Sequence, residues 1–101
     1  MSIEGLDPLI HPPARLQLMA LVAEVTEMEF ATARALLDVS DSVLSKHLAQ
    51  LAAAEYLALR KATADGRQRT WIAVTAAGRK AFAGHVAALQ ALAGLAAKGG
   101  S

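Results

Sequence analysis

The spacing of apolar residues changes several times along the chain, and each change marks an element. Residues 1–12 show no period and read as an irregular lead-in, closed by His11-Pro12-Pro13. Proline disfavours helix in the residue before it and suits a first helical turn, so a helix is predicted from Pro13 to about Val25. It carries Leu16, Leu18, Met19, Leu21, Val22 and Val25, which wrap most of its circumference. Such a helix needs cover on more than one side. In a small domain the second cover is expected to be another subunit. Residues 27–30, Glu-Met-Glu-Phe, alternate polar and apolar and predict a short strand. A short helix follows at about Ala31–Leu37, broken by Asp38-Val39-Ser40, and Ser40 is a good N-cap for a second helix at about Asp41–Ala54. Tyr56–Ala62 and Arg67–Val74 read as strands around Thr63-Ala64-Asp65-Gly66, with Asp-Gly the hairpin signal. Thr75 can cap a last helix, about Ala76–Ala97, and residues 98–101 are expected to fray.

The order is helix, short strand, helix, helix, hairpin, helix. A helical pair joined by a tight turn and followed by a two-stranded ribbon is the plan of a winged helix. The expected class is therefore mainly α with a small β-hairpin wing, in one domain spanning 13–97. The 24 alanines and four aromatic residues agree with packed helices rather than a sandwich. There is no cysteine, which excludes disulfides, thiolate metal sites and cysteine nucleophiles. Neither a signal peptide nor a run of about 18 apolar residues is visible, so a cytoplasmic protein without a membrane span is expected. No serine, histidine and acid form a nucleophilic motif, and no enzyme is expected. His11, His47 and His85 lack ligand spacing, so neither a metal nor another cofactor is expected.

The net charge is only +1, but it is unevenly spread. Residues 1–41 hold seven acids against Arg15 and Arg34, and residues 42–101 hold eight bases against Glu55 and Asp65. The helix after Ser40 sharpens the contrast. With Leu44 at the centre of its inner face, Leu48 and Leu51 fall within about 40°. Ser42, Lys46, Ala49 and Ala53 fall opposite, with Ser45 and Gln50 on the flanks and His47 about 60° from the centre. Small residues let a helix approach base edges, and lysine or serine can bond to bases or phosphate. The hairpin adds Arg60, Lys61, Arg67 and Arg69, with Gln68 between the last two. A ribbon this basic suits a minor groove or backbone, although charge on an edge strand also guards against aggregation. Asp65 is placed to brace Arg67 across the turn, and Trp71 is expected to anchor its strand on the domain.

The run Leu37-Asp-Val-Ser-Asp-Ser-Val-Leu-Ser-Lys-His-Leu-Ala-Gln-Leu, followed by Ala54-Glu-Tyr-Leu, resembles the helix-turn-helix of MarR/ArsR-type winged-helix regulators. Asp65-Gly-Arg-Gln-Arg-Thr-Trp-Ile-Ala-Val-Thr-Ala-Ala-Gly-Arg resembles their wing and the start of the last helix. The likeness spans about residues 13–90 and is nearest to small, stand-alone members. It implies a DNA-binding transcriptional regulator acting as a repressor on an inverted repeat in double-stranded DNA. Ser42, Ser45 and Lys46 would lie in the major groove, Arg67 and Arg69 on the wing, and Ser40 against a phosphate. Gln68, His47, Gln50, Arg60 and Lys61 are further candidates. Two positions that are usually glycine hold Asp38 and Glu55 instead. Aspartate tolerates a left-handed backbone, so the turn should survive.

Phe82, Val86, Leu89 and Leu92 form an apolar stripe on the last helix. With Leu16, Met19 and Val22 they are the expected homodimer contact, giving two half-sites about one DNA turn apart. A winged helix used purely for protein interaction stays open as the alternative. An unidentified small-molecule effector is compatible with the DNA reading, though no polar cluster marks a pocket for one.

Overall fold

The computed structural model describes residues 4–99, which form four helices and one three-stranded antiparallel sheet. The elements are α1 (Pro13–Ala23), β1 (Met28–Glu29), α2 (Phe30–Leu37), α3 (Asp41–Ala53), β2 (Leu57–Ala64), β3 (Arg67–Val74) and α4 (Ala76–Gly99). The winged-helix plan and the element order are as expected, with boundaries moved by a few residues. One boundary is a correction. Lys98 and Gly99, expected to fray, are helical, and residues 100–101 lie outside the described residues.

Local chemistry explains the breaks. Asp38 takes the left-handed conformation (φ 53°) that ends α2. Ser40 then caps α3, its Oγ accepting from the Val43 N–H at 3.2 Å. The hairpin turn is tighter than the four residues read from sequence. Asp65 and Gly66 alone form it, both at positive φ, as a two-residue turn of the primed type demands. Thr75 caps α4 by accepting from the Gly78 N–H at 2.9 Å. Its hydroxyl also meets the Glu55 carbonyl at 2.6 Å, tying the end of α3 to the start of α4.

The sheet order is β1-β3-β2, with Met28 opposite Ile72 and Leu59 opposite Ile72 on the other side. Leu57, Ile72 and Met28 point to the core, where they join Leu18, Met19 and Val22 of α1, Ala33 of α2 and Leu44, Leu48 and Leu51 of α3. The second cover that α1 needs therefore comes from within one chain. Met19 and Val22 have no exposed surface and cannot serve as subunit contacts, which corrects their assignment. Leu16 and Phe82 also pack against this core, although each keeps part of its surface.

Residues 4–12 of the lead-in hold no helix or strand, yet they belong to the packed domain. Ile10 is fully buried in the core. The Asp7 N–H donates to His85 Nδ1 at 2.9 Å, and the Tyr56 hydroxyl donates to Asp7 Oδ2 at 2.6 Å. His11 and His85, 74 residues apart in sequence, meet at 3.3 Å.

Candidate nucleic-acid interface

The three inward leucines of α3 fix its orientation, and its opposite face is open to solvent. Ser40, Ser42, Ser45, Lys46, Ala49 and Ala53 are all exposed. The helix begins with one acid, Asp41, whose Oδ1 lies 3.0 Å from Arg34 Nε of α2. That pairing moderates the negative charge at the N-terminal end of the helix. Ser40 and Ser42 hydroxyls lie 3.2 Å apart beside the same end.

Two flank residues differ from the outer face. Gln50 accepts a hydrogen bond through Oε1 from Arg15 Nη1 of α1. His47 is half-buried, as its angle on the helix predicted, and its Nδ1 is covered with no hydrogen-bond partner among the described residues. Burial pushes the His47 pKa below the ordinary histidine value, and the positive charges of Arg15 and Lys46 push it further.

The wing divides its cations into two kinds. Arg60 makes a bidentate pair with Glu27, Nε to Oε2 at 3.0 Å and Nη2 to Oε1 at 2.8 Å. This bond, more than simple charge proximity, lowers the Glu27 pKa and raises that of Arg60. Arg69 donates through Nη1 to both oxygens of Glu29 at 3.1 Å. These two arginines are thus spoken for by the acids around β1. Both are candidate DNA contacts by sequence, and in the unbound chain each is already paired with a carboxylate. Trp71 sits opposite both Glu29 and Arg60 in the ladder, with the Arg60 guanidinium 5.8 Å from its ring centre. It therefore braces the outer face of the sheet, while its neighbour Ile72 does the core packing.

Arg67 and Lys61 are exposed and form no ion pair among the described residues. Asp65 does not brace Arg67, contrary to expectation. The positive φ of residues 65 and 66 belongs to the turn itself, which needs no such brace. In the ladder Arg67 pairs with Ala64 and Gln68 with Thr63, so the two side chains leave opposite faces of the ribbon. Gln68 shares its face with Lys61.

Elsewhere, a shallow cleft of about 590 Å³ opens between residues 5–8, Tyr56 and the first turns of α4, with Lys80 at its edge. Sequence reasoning missed Arg15, Glu27 and Glu29, because no periodicity tells which distant residue an exposed charge will meet.

No curated protein matches the chain. Among solved structures it is similar to a transcriptional regulator homologue from Pyrococcus horikoshii OT3, at 24% identity and a TM-score of 0.78 over 83% of each chain. It is similar to a zinc-responsive MarR family member from Lactococcus lactis, at 19% identity and a TM-score of 0.61, over 84% of this chain and 58% of that one. A heme sensor protein from Streptococcus agalactiae gives 20% identity and a TM-score of 0.67, over 84% and 59% of the two chains. At these identities the likeness is one of fold, and it extends to MarR-family regulators. A family of winged helix DNA-binding domains matches residues 14–93. With a capped helix presenting an uncluttered face and a basic hairpin following it, this chain belongs to the winged helix DNA-binding domain family.

Proposed function

We propose that the protein is a sequence-specific transcriptional repressor that binds double-stranded DNA as a cytoplasmic homodimer. It reads an inverted repeat, with α3 in the major groove and the wing, residues 62–69, on the minor groove and backbone. The observation that carries this reading is the outer face of α3. Ser42, Ser45, Lys46 and Ala49 are exposed, small or cationic, and no carboxylate follows Asp41 on the helix. Bulky or acidic residues there would hold a groove away, and these do not.

The wing tip supports the same reading over a purely protein-binding module. A protein-docking tip would present apolar surface, whereas Asp65, Gly66, Arg67 and Gln68 are all exposed and polar or small. Two of the structural neighbours are described as zinc-responsive or heme-sensing. Among the described residues no group of three or more His, Asp or Glu could hold a metal ion. The cleft beside Tyr56 offers room for a small organic effector instead.

Selection of bound sequences from random duplexes tests the proposal. The expected product is an inverted repeat with half-sites about one DNA turn apart. Lys46→Ala and Arg67→Ala should each weaken binding without lowering the melting temperature. Binding that enriches no sequence, or that ignores salt, would sink the reading.

A further inference from the structure

Arg15 stands in the acidic part of the sequence, yet the fold sets it beside α3. Its Nη1 donates to Gln50 Oε1, and its Nε donates to the Leu9 carbonyl at 2.6 Å. Both acceptors are neutral. Among the described residues the ion pairs are Arg34 with Asp41, Arg60 with Glu27 and Arg69 with Glu29, so Arg15 keeps its full charge. It lies near enough to act electrostatically on His47, as Lys46 does.

The helical wheel shows what this makes. Relative to Leu44, His47, Gln50 and Lys46 lie about 60°, 120° and 160° round the same side of α3. That side is the flank next to the exposed face. With Arg15 docked on Gln50, it becomes a corner holding two permanent cations, and α3 itself carries no acid after Asp41. Like charges gathered this way repel one another, and an anion arriving between them removes the cost. When a helix enters a major groove, its flanks face the sugar–phosphate strands while its outer face meets the bases.

We propose that Arg15 is a phosphate-backbone contact of the DNA site, and that Gln50 is the positioning residue that holds its guanidinium against α3. The inference rests on the DNA-binding reading above and extends the site onto α1. Gln50 thereby changes role, from a candidate DNA contact to a support for a cation that reads no base.

The test is the affinity of the full chain for its selected duplex as a function of salt. Arg15→Gln should weaken binding about tenfold, equally for matched and mismatched duplexes, and lower the log–log salt slope by about one. Arg15→Lys should restore the slope, and Gln50→Ala should weaken binding while keeping it. In the parent protein, the Nε–H resonance of Arg15 should move as duplex is added, a readout that needs no variant to fold. An Arg15→Gln slope equal to the parent's, or a resonance that stays in place, overturns the proposal. If Lys46→Ala and Arg67→Ala lower the slope and Arg15→Gln does not, this inference alone fails. If none of the three does, the DNA reading fails with it.

Discussion

Gly78 illustrates how a single position can reverse a local preference. It is the third residue of α4, where alanine would favour the helix by about 1 kcal/mol. The chain crosses too closely for that. A Cβ at this position would stand 2.1 Å from the Tyr56 carbonyl oxygen and 2.9 Å from its carbon, both backbone atoms. The crossing is itself held by the Thr75 N–H, which donates to the same Tyr56 carbonyl at 3.0 Å. Gly78→Ala should therefore destabilise the fold by at least about 2 kcal/mol, read from the urea midpoint. An unchanged midpoint would show that the junction yields freely. His85 gives a second expectation at this scale. It is fully buried, and its Nδ1 accepts the Asp7 N–H, so its proton sits on Nε2 toward His11. Burial lowers its pKa, the nearby His11 lowers it further, and Asp7 opposes the shift. The folded state thus resists a proton that the unfolded chain accepts near the ordinary histidine value. Stability from this group is complete above about pH 6.5 and falls as pH drops toward the lowered folded value, by at most about 1.4 kcal/mol per unit. Urea unfolding at pH 7.5 and 5.5 should show the loss, and His85→Gln should reduce it. The same loss in that variant would assign it elsewhere, His47 being the next candidate by its lowered pKa.

Among the elements, the wing shows most clearly where sequence reasoning stops. Its two strands and the Asp-Gly at its turn follow from local signals, although the turn closes in two residues where four were read. The fate of its charges does not. Glu27-Met-Glu reads locally as a strand, and Met28 does turn to the core. Nothing local says that this strand adds to β3 instead of β2, yet that choice sets Glu29 beside Trp71 and within reach of Arg69. Strand pairing is decided by the packing of residues some 40 positions apart, and with it the division of the basic hairpin into two held arginines and an exposed tip. The helix-turn-helix behaved differently. Asp38, Ser40 and the Leu44-Leu48-Leu51 spacing act within a few residues of each other, so its turn, cap and inner face were all legible. What α3 carries on its flank was not, because Arg15 reaches it from α1.

At the scale of the whole molecule, the dominant feature is the uncovered end of α4. The chain extends 59 Å along its long axis against 25 and 22 Å across, and residues 93–99 of α4 are exposed throughout. Leu95 keeps 68% of its surface exposed, while Val86, Leu89 and Leu92 are half-covered by their own chain. In the proposed dimer the subunit contact would lie further along α4 than the stripe starting at Phe82, on the surface around Leu95. Leu95→Glu should convert a dimer to a monomer in sedimentation and weaken binding to an inverted repeat more than to a single half-site. An unchanged mass would place any subunit contact away from this end of the helix.

The sequence by itself determined the elements, their order, the turn chemistry and the two surfaces with the composition to face a nucleic acid. Each depends on residues close enough along the chain for period, capping and backbone preference to act. Tertiary structure alone decided which charges stay unpaired, which apolar residues are already covered within one chain, and that Ile10 of the lead-in belongs to the core. Met19, Arg69 and Asp7 look unremarkable or misleading in isolation, and each takes its role from a partner that folding brings to it. Burial and ion pairing are properties of position in space, and the chain encodes those positions through all of its contacts together.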